Sequence, residues 1–181
     1  MKIRLATVWL GGCAGCHMSV LDLDEYLLEL AARVNVVFSP LVDTKIYPEN
    51  VDLVLVEGAI CNEEHVAMAR TIRARTKCVV ALGDCAITGN VTAMRNALGP
   101  DNAGQVLQRA YIELAATRPC LPQLAGIVPV LLERVMPLHE LIAVDYYLPG
   151  CPPPAARIKA AVAALLDGRP PPLAGSDLKF G

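Results

Sequence analysis

The sequence is short of charge. Asp, Glu, Lys and Arg make up 19% of its 181 residues, against 54% hydrophobic. The 16 basic and 18 acidic residues nearly cancel, to a net charge of −2, and no block of like charge stands out. Nucleic acid and anionic membrane surfaces attract clustered basic residues, so neither is an expected partner. Long apolar runs are also missing, and none reaches the length needed to span a bilayer. The N-terminus, Met1-Lys2-Ile3-Arg4-Leu5, passes directly into strand-like sequence, with no signal-peptide core and no twin arginine. A cytoplasmic location is the expectation. No internal repeat, low-complexity block or second domain is evident. Residues 1–168 read as one domain and residues 169–181 as a Pro- and Gly-rich tail. A chain of this length can bury a substantial core. The apolar surplus either fills that core or covers surface against other subunits, and composition leaves both readings open.

Cysteine is what the sequence has in excess. There are seven, an odd number that excludes complete intramolecular disulfide pairing. In a reducing compartment, cysteines serve metals or redox chemistry more often than structural disulfides.

Periodicity gives an alternating pattern. Ile3 to Leu10 reads as a buried strand, Met18 to Arg33 as a helix with Leu23, Leu27, Leu30 and Ala31 on one face. Asn35 to Phe38 and Asp52 to Val56 are the next strands. Asn62 is positioned to cap a helix whose first turn holds Glu63 and Glu64, where the helix dipole favours acids. Cys78 to Leu82 is a fourth strand. Thr92 to Leu98 and Gln105 to Ala116 read as helical, and Pro119 to Pro137 as irregular. Leu141 to Leu148 is a fifth strand, and Ala155 to Leu166 a final helix led in by prolines. Strands alternating with helices predict an α/β fold: a flavodoxin-like, doubly wound, mostly parallel sheet with helices on both faces.

In such sheets functional groups gather beyond the carboxyl ends of the strands. Strand one leads into Gly11-Gly12-Cys13-Ala14-Gly15-Cys16, strand three into Glu57-Gly58-Ala59-Ile60-Cys61. Strand four leads into Gly83-Asp84-Cys85, strand five into Pro149-Gly150-Cys151-Pro152. Five cysteines are thus assigned to one edge. Cys78 belongs at the opposite edge and Cys120 in the proline-rich loop. Four thiolates drawn from three loops suit an iron–sulfur cluster. A four-cysteine zinc site is the first competitor, although it more often uses two local Cys-x-x-Cys pairs, and only one is present. A dithiol redox pair at Cys13 and Cys16 is the second, and leaves the Cys85 and Cys151 loops without a role.

The segments Trp9 to Cys16, Val56-Glu57-Gly58, Gly83 to Gly89 and Leu148 to Pro153 together resemble the small subunit of [NiFe]-hydrogenases. The resemblance implies that Cys13, Cys16, Cys85 and Cys151 ligate one proximal [4Fe–4S] cluster. Cys16-His17-Met18-Ser19, the acidic run from Asp22 to Glu25, and Pro137-Leu138-His139-Glu140 are similar to the bidirectional, NAD-coupled soluble class. Periplasmic uptake enzymes usually carry Glu where Met18 stands, and a C-terminal domain with two further clusters. This sequence ends soon after the Pro-Gly-Cys-Pro loop, so one cluster is expected. The quinone-reductase subunit of respiratory complex I has adjacent cysteines in the first loop and is the alternative relative.

The implied activity is that of a subunit of a NAD-coupled hydrogenase, or hydrogen dehydrogenase, which alone splits no hydrogen. The [NiFe] centre is expected in a large partner subunit. FMN and NAD are expected in partners too, reached through an iron–sulfur diaphorase subunit; an FMN at an interface of this chain is a further option. A flavodoxin-like FMN-binding module is the alternative function, opposed by the cysteine loop that stands where a phosphate loop is needed. Resemblance makes Glu57 a candidate for proton transfer near the cluster. Cys61 is a substitute ligand or a structural residue, and His17 either touches the cluster environment or an interface or is an exposed loop residue. Trp9 is expected in the core, His65 on a solvated or interface face, His139 in a structural hydrogen bond, and Asp22, Asp24 and Glu25 on a polar helix face.

Overall fold

Near-continuous apolar runs form strands buried on both faces, since successive side chains point to opposite sides. In a computed structural model of the protein, residues 2–179 are described; Met1, and Phe180 and Gly181 of the tail, lie outside the described residues. The strands are Ile3–Trp9 (β1), Val34–Phe38 (β2), Val51–Glu57 (β3), Ile60–Asn62 (β4), Thr76–Leu82 (β5), Leu131–Met136 (β6) and Tyr146–Leu148 (β7). Five of them form one sheet in the order β2-β1-β3-β5-β7, with every pairing parallel. This is the doubly wound order, in which the strand sequence reverses direction beside β1. The pair β4–β6 forms a small antiparallel sheet.

The α-helices are Gly15–Leu21 (α1), Tyr26–Arg33 (α2), Glu63–Arg75 (α3), Asp84–Thr88 (α4), Asn90–Ala93 (α5), Asn102–Gln108 (α6) and Ala155–Leu166 (α7). Alternation along the strands makes two cores. Ala6, Val8, Val54, Val56, Val79 and Ala81 pack with Ala69 and Ile72 of α3 on one face. Leu5, Leu53, Leu55, Val80 and Leu82 pack with Tyr26 and Leu30 of α2 and Ile158 and Val162 of α7 on the other. Burying each such aliphatic side chain contributes about 1.5–3 kcal/mol. The α/β, doubly wound expectation holds, and Asn62 caps α3 as expected, its side chain accepting from His65 N at 2.8 Å.

Several boundaries differ from the sequence reading. The helix expected over Met18 to Arg33 is two helices. Between them Asp24 has φ of 49°, in the left-handed region that Asp tolerates better than most residues. Asp22, Asp24 and Glu25 therefore form an exposed link rather than one helix face. The strand expected from Leu141 is only Tyr146–Leu148. Asp145 explains its late start: its carboxylate accepts the Val79 amide at 2.7 Å, so β5 is bonded there by a side chain. The same carboxylate pairs with Arg73. The Pro119 to Pro137 stretch is not all irregular, because the residues between Pro129 and Pro137 lack proline and supply β6. Asn96 fastens β6 by accepting from Val135 N and donating to Val135 O, each at 2.9 Å. The helix expected from Thr92 starts at Asn90 and tightens to a 3-10 turn over Met94–Leu98, and the one expected from Gln105 starts at Asn102 and ends in a π turn over Arg109–Glu113.

The β3–β4 turn depends on Gly58. Its φ is 93°, and a Cβ there would lie 2.8 Å from backbone atoms of Leu10 and Gly11. Gly58→Ala is expected to cost about 1–3 kcal/mol. Calorimetry should show it as a lowered Tm; an unchanged Tm would refute this account of the turn.

Candidate metal centre

Four strand ends deliver loops to one edge, and specific hydrogen bonds bind the loops to each other. After β1, Leu10 N donates to Glu57 O at 2.8 Å, and Gly11 and Ala59 exchange backbone bonds at 3.0 and 2.7 Å. After β5, Gly83 N donates to Leu148 O at 2.8 Å and Asp84 N to Gly150 O at 3.0 Å. The Asp84 carboxylate, itself buried, accepts Gly150 N at 2.7 Å. Ser19 of α1 donates to Pro153 O at 2.5 Å, closing the ring between the first and last loops.

This stitching gathers Cys13, Cys16, Cys85 and Cys151. Cys16 and Cys85 are buried, whereas Cys13 and Cys151 are exposed. Burial pushes the Cys16 thiol far up, and the charges of Glu57, Cys85, Cys13 and Cys151 add to the effect. Burial likewise pushes Cys85 up to about 11, reinforced by Cys151 and Cys13. Cys16 and Cys85 therefore each lie within electrostatic reach of Cys13 and Cys151. Charge of this kind is relieved when thiolates bind metal. Gly83 leaves room for the buried pair: its φ is 81°, and a Cβ there would lie 2.2 Å from Cys16 Sγ. The two outer sulfurs accept weak hydrogen bonds, Cys13 from Gly15 N at 3.4 Å and Cys151 from Asn90 Nδ2 at 3.3 Å. Such bonds to sulfur are one means of tuning a cluster potential.

The donor set is all thiol, the chemistry that suits an iron–sulfur cluster and also a four-cysteine zinc site. Tetrahedral zinc draws its sulfurs to about 2.3 Å from one centre, whereas a polynuclear cluster accepts thiolates at separate corners.

Glu57 is 1% exposed at the end of β3. Its Oε2 accepts His17 N at 2.9 Å and lies 2.5 Å from His17 Nδ1. The bond to His17 N satisfies one of the free amides in the first turn of α1. His17 is 6% exposed, so it is neither an exposed loop residue nor a free surface ring. Its Nε2 is buried and has no hydrogen-bond partner among the described residues. Sequence reasoning singled out Glu57 and missed its pairing with His17. The only signal was that His17 directly follows a cysteine of the first loop.

The remaining expectations divide. Cys61 lies apart from the four: its thiol donates to Ala59 O, and burial pushes it up while Thr92 and Arg95 pull the other way. Cys78 is half-buried near Asp145 and Arg73 at the far side, pushed by burial up to about 11. Cys120 is exposed. Trp9 is not a core residue; it stands at the end of β1, is 48% exposed, and lines an open cavity with Pro40 and with His65 and Met68 of α3. His65 is not freely solvated. Its Nδ1 accepts Cys61 N at 3.2 Å, and burial holds its pKa below the usual histidine value. His139 makes an edge-on contact with Tyr147 at 6.1 Å between rings and is exposed, in place of the expected hydrogen bond.

Fold and site together define a doubly wound α/β protein whose functional edge is lined with cysteine. Residues 13–165 match the family described as NADH ubiquinone oxidoreductase, 20 Kd subunit. The chain belongs to this family, and it is homologous to hydrogenase small subunits. It is 36% identical over 172 residues to the NAD-reducing hydrogenase HoxS subunit delta of Cupriavidus necator, covering 93% of this chain and 81% of that one. It is 39% identical over 175 residues to one subunit of the F420-non-reducing hydrogenase of Methanothermobacter thermautotrophicus, covering 92% of this chain. It spans about half of that relative, 54% of its length. A crystal structure of NAD+-reducing [NiFe]-hydrogenase in the H2-reduced state contains a chain of the same fold. The TM-score is 0.92 and the identity 41%, with both chains fully covered.

The Asp84 bond to the Cys151 loop generates a test. Asp84→Ala is expected to weaken metal retention about 10- to 100-fold, as loss of a ligand-orienting partner does. Iron per chain, measured after gel filtration with circular dichroism as control, should fall with the fold intact. Full iron content would show that the loop holds its place without this carboxylate.

Proposed function

We propose that this chain is the electron-transfer subunit of a cytoplasmic, NAD-coupled [NiFe]-hydrogenase. On this reading Cys13, Cys16, Cys85 and Cys151 hold one [4Fe–4S] cluster, carried by residues 1–168 as a single domain. The observation that carries it is the gathering of Cys16 and Cys85 within electrostatic reach of Cys13 and Cys151 at the carboxyl edge of this sheet, in a chain matching two NAD-reducing hydrogenase chains over 81% and 100% of their lengths. When bound, the cluster supplies one-electron oxidation and reduction.

The chain's own residues supply the setting. The buried Cys16 and Cys85 anchor the inner side. The exposed Cys13 and Cys151 leave the outer side for a covering partner. Trp9, Met18, Val91 and Met94, all exposed and apolar, lie near these loops in the chain and give that partner a surface to bury. We assign this face to the large subunit that holds the [NiFe] centre. An iron–sulfur diaphorase subunit, with FMN and NAD in partner chains, takes the electrons onward. Among the described residues no helix is long and apolar enough to cross a membrane. Glu57, buried behind the first cysteine loop, is the proposed proton-transfer group near the cluster.

Anaerobic iron and labile-sulfide analysis of the chain purified with its partners tests the assignment. About four irons and four sulfides per chain are expected. Zinc or no metal on this chain would overturn it. Replacing any of Cys13, Cys16, Cys85 or Cys151 with Ser should lower the iron content, whereas Cys61→Ser should keep it. For Glu57, the assembled Glu57→Gln enzyme should exchange hydrogen isotopes with solvent roughly 100-fold or more slowly, the scale of a lost general acid–base group. Wild-type exchange would remove the proton role.

A further inference from the structure

We infer that His17 is a positioning residue for Glu57, fixing the carboxylate through its Nδ1 and turning the free oxygen toward the first cysteine loop. The inference rests on the proposed role of Glu57 and names what holds it in place. Three observations meet here. Oε2 of Glu57 is bonded twice by the same residue, by the backbone N of His17 at 2.9 Å and the ring Nδ1 at 2.5 Å. Oε1 lies on the other side, where a Cβ on Gly12 would be 3.4 Å away, one residue before Cys13. The ring is buried, and among the described residues its Nε2 finds no partner.

The bond at Nδ1 separates positioning from packing. An apolar side chain would fill the same space but could donate nothing to Glu57. A carboxylate is an acceptor only, so an ionised Glu57 requires the hydrogen on Nδ1. Two donors on Oε2 then fix the carboxyl plane. A glutamate has three rotatable bonds, and the backbone bond alone leaves the carboxyl free to turn about its last one. The ring removes that freedom. A proton group must lie within hydrogen-bond reach of its exchange partner, and an orientation fixed beforehand maintains that geometry.

Two substitutions distinguish the ring nitrogens. The Asn side-chain nitrogen reaches about as far as Nδ1, and that of Gln about as far as Nε2. His17→Asn therefore keeps the donor to Glu57, and His17→Gln loses it. The experiment uses the assembled hydrogenase complex with iron content checked for each variant. The first readout is the redox-difference infrared band of the Glu57 carboxyl, assigned by its loss in Glu57→Gln. The second is hydrogen-isotope exchange with solvent.

His17→Asn should retain the wild-type band and exchange rate. His17→Gln should shift the band and slow exchange by about ten- to hundredfold, the scale of a lost charge-assisted bond. If the two variants behave alike, whether both normal or both impaired, the inference is overturned. Should His17→Gln fail to assemble, His17→Asn still decides, because a retained band supports the inference and a shifted one overturns it. Wild-type exchange in Glu57→Gln is a separate result. It would remove the proton role of Glu57 and leave the infrared ranking to decide whether His17 orients it.

Discussion

Two buried carboxylates, Glu57 and Asp84, hold the cysteine loops in their mutual positions. Each stands at the carboxyl end of a strand and accepts an amide hydrogen from a different loop. Glu57, at the end of β3, accepts from His17 in the segment that follows β1. Asp84, just after β5, accepts from Gly150 in the segment that follows β7. Breaking such a bond leaves a buried polar group without its partner, so these contacts resist local opening. Parallel sheet geometry brings the loops to one edge, but it does not set their spacing. The carboxylates, with the backbone bonds beside them, do that.

The division between buried and exposed thiols follows from the same arrangement. Cys16 sits in α1, which packs into the core formed with α2 and α7. Cys85 sits in α4, directly against the end of β5. Both are drawn inward by elements whose apolar faces must be covered. Cys13 and Cys151 lie in turns with no apolar face to bury, and they stay at the surface. A site with one dry side and one open side suits the electron exchange with a covering partner proposed above. The dry side lowers the local dielectric, and the open side leaves two thiols accessible.

The sheet, the two-sided core and the final helix were legible in the sequence, because periodicity and propensity act locally and agree there. The cysteine edge was legible for a topological reason: in a parallel sheet every strand points its carboxyl end the same way. The errors fall where a distant residue overrides local preference. The fifth strand starts late because the Asp145 side chain takes the Val79 amide. β6 was hidden among prolines, and its pairing with β4 and its clasp by Asn96 join segments far apart in the chain. Trp9 was assigned to the core by its hydrophobicity, but it is the last residue of β1 and borders an open cavity beside α3.

The sequence by itself determined the alternation of strands and helices, the order of the cysteine loops and the membership of the family, since all of these are written in residue type and spacing. Only the tertiary structure decided which thiols are buried, that Cys61 stands apart, and that His17 and Glu57 form a pair. Those facts depend on contacts between separate loops, such as the bond between His17 and Glu57 forty positions apart. Their distances are set when packed helices and carboxylate bonds fix the loops, and no local pattern encodes them.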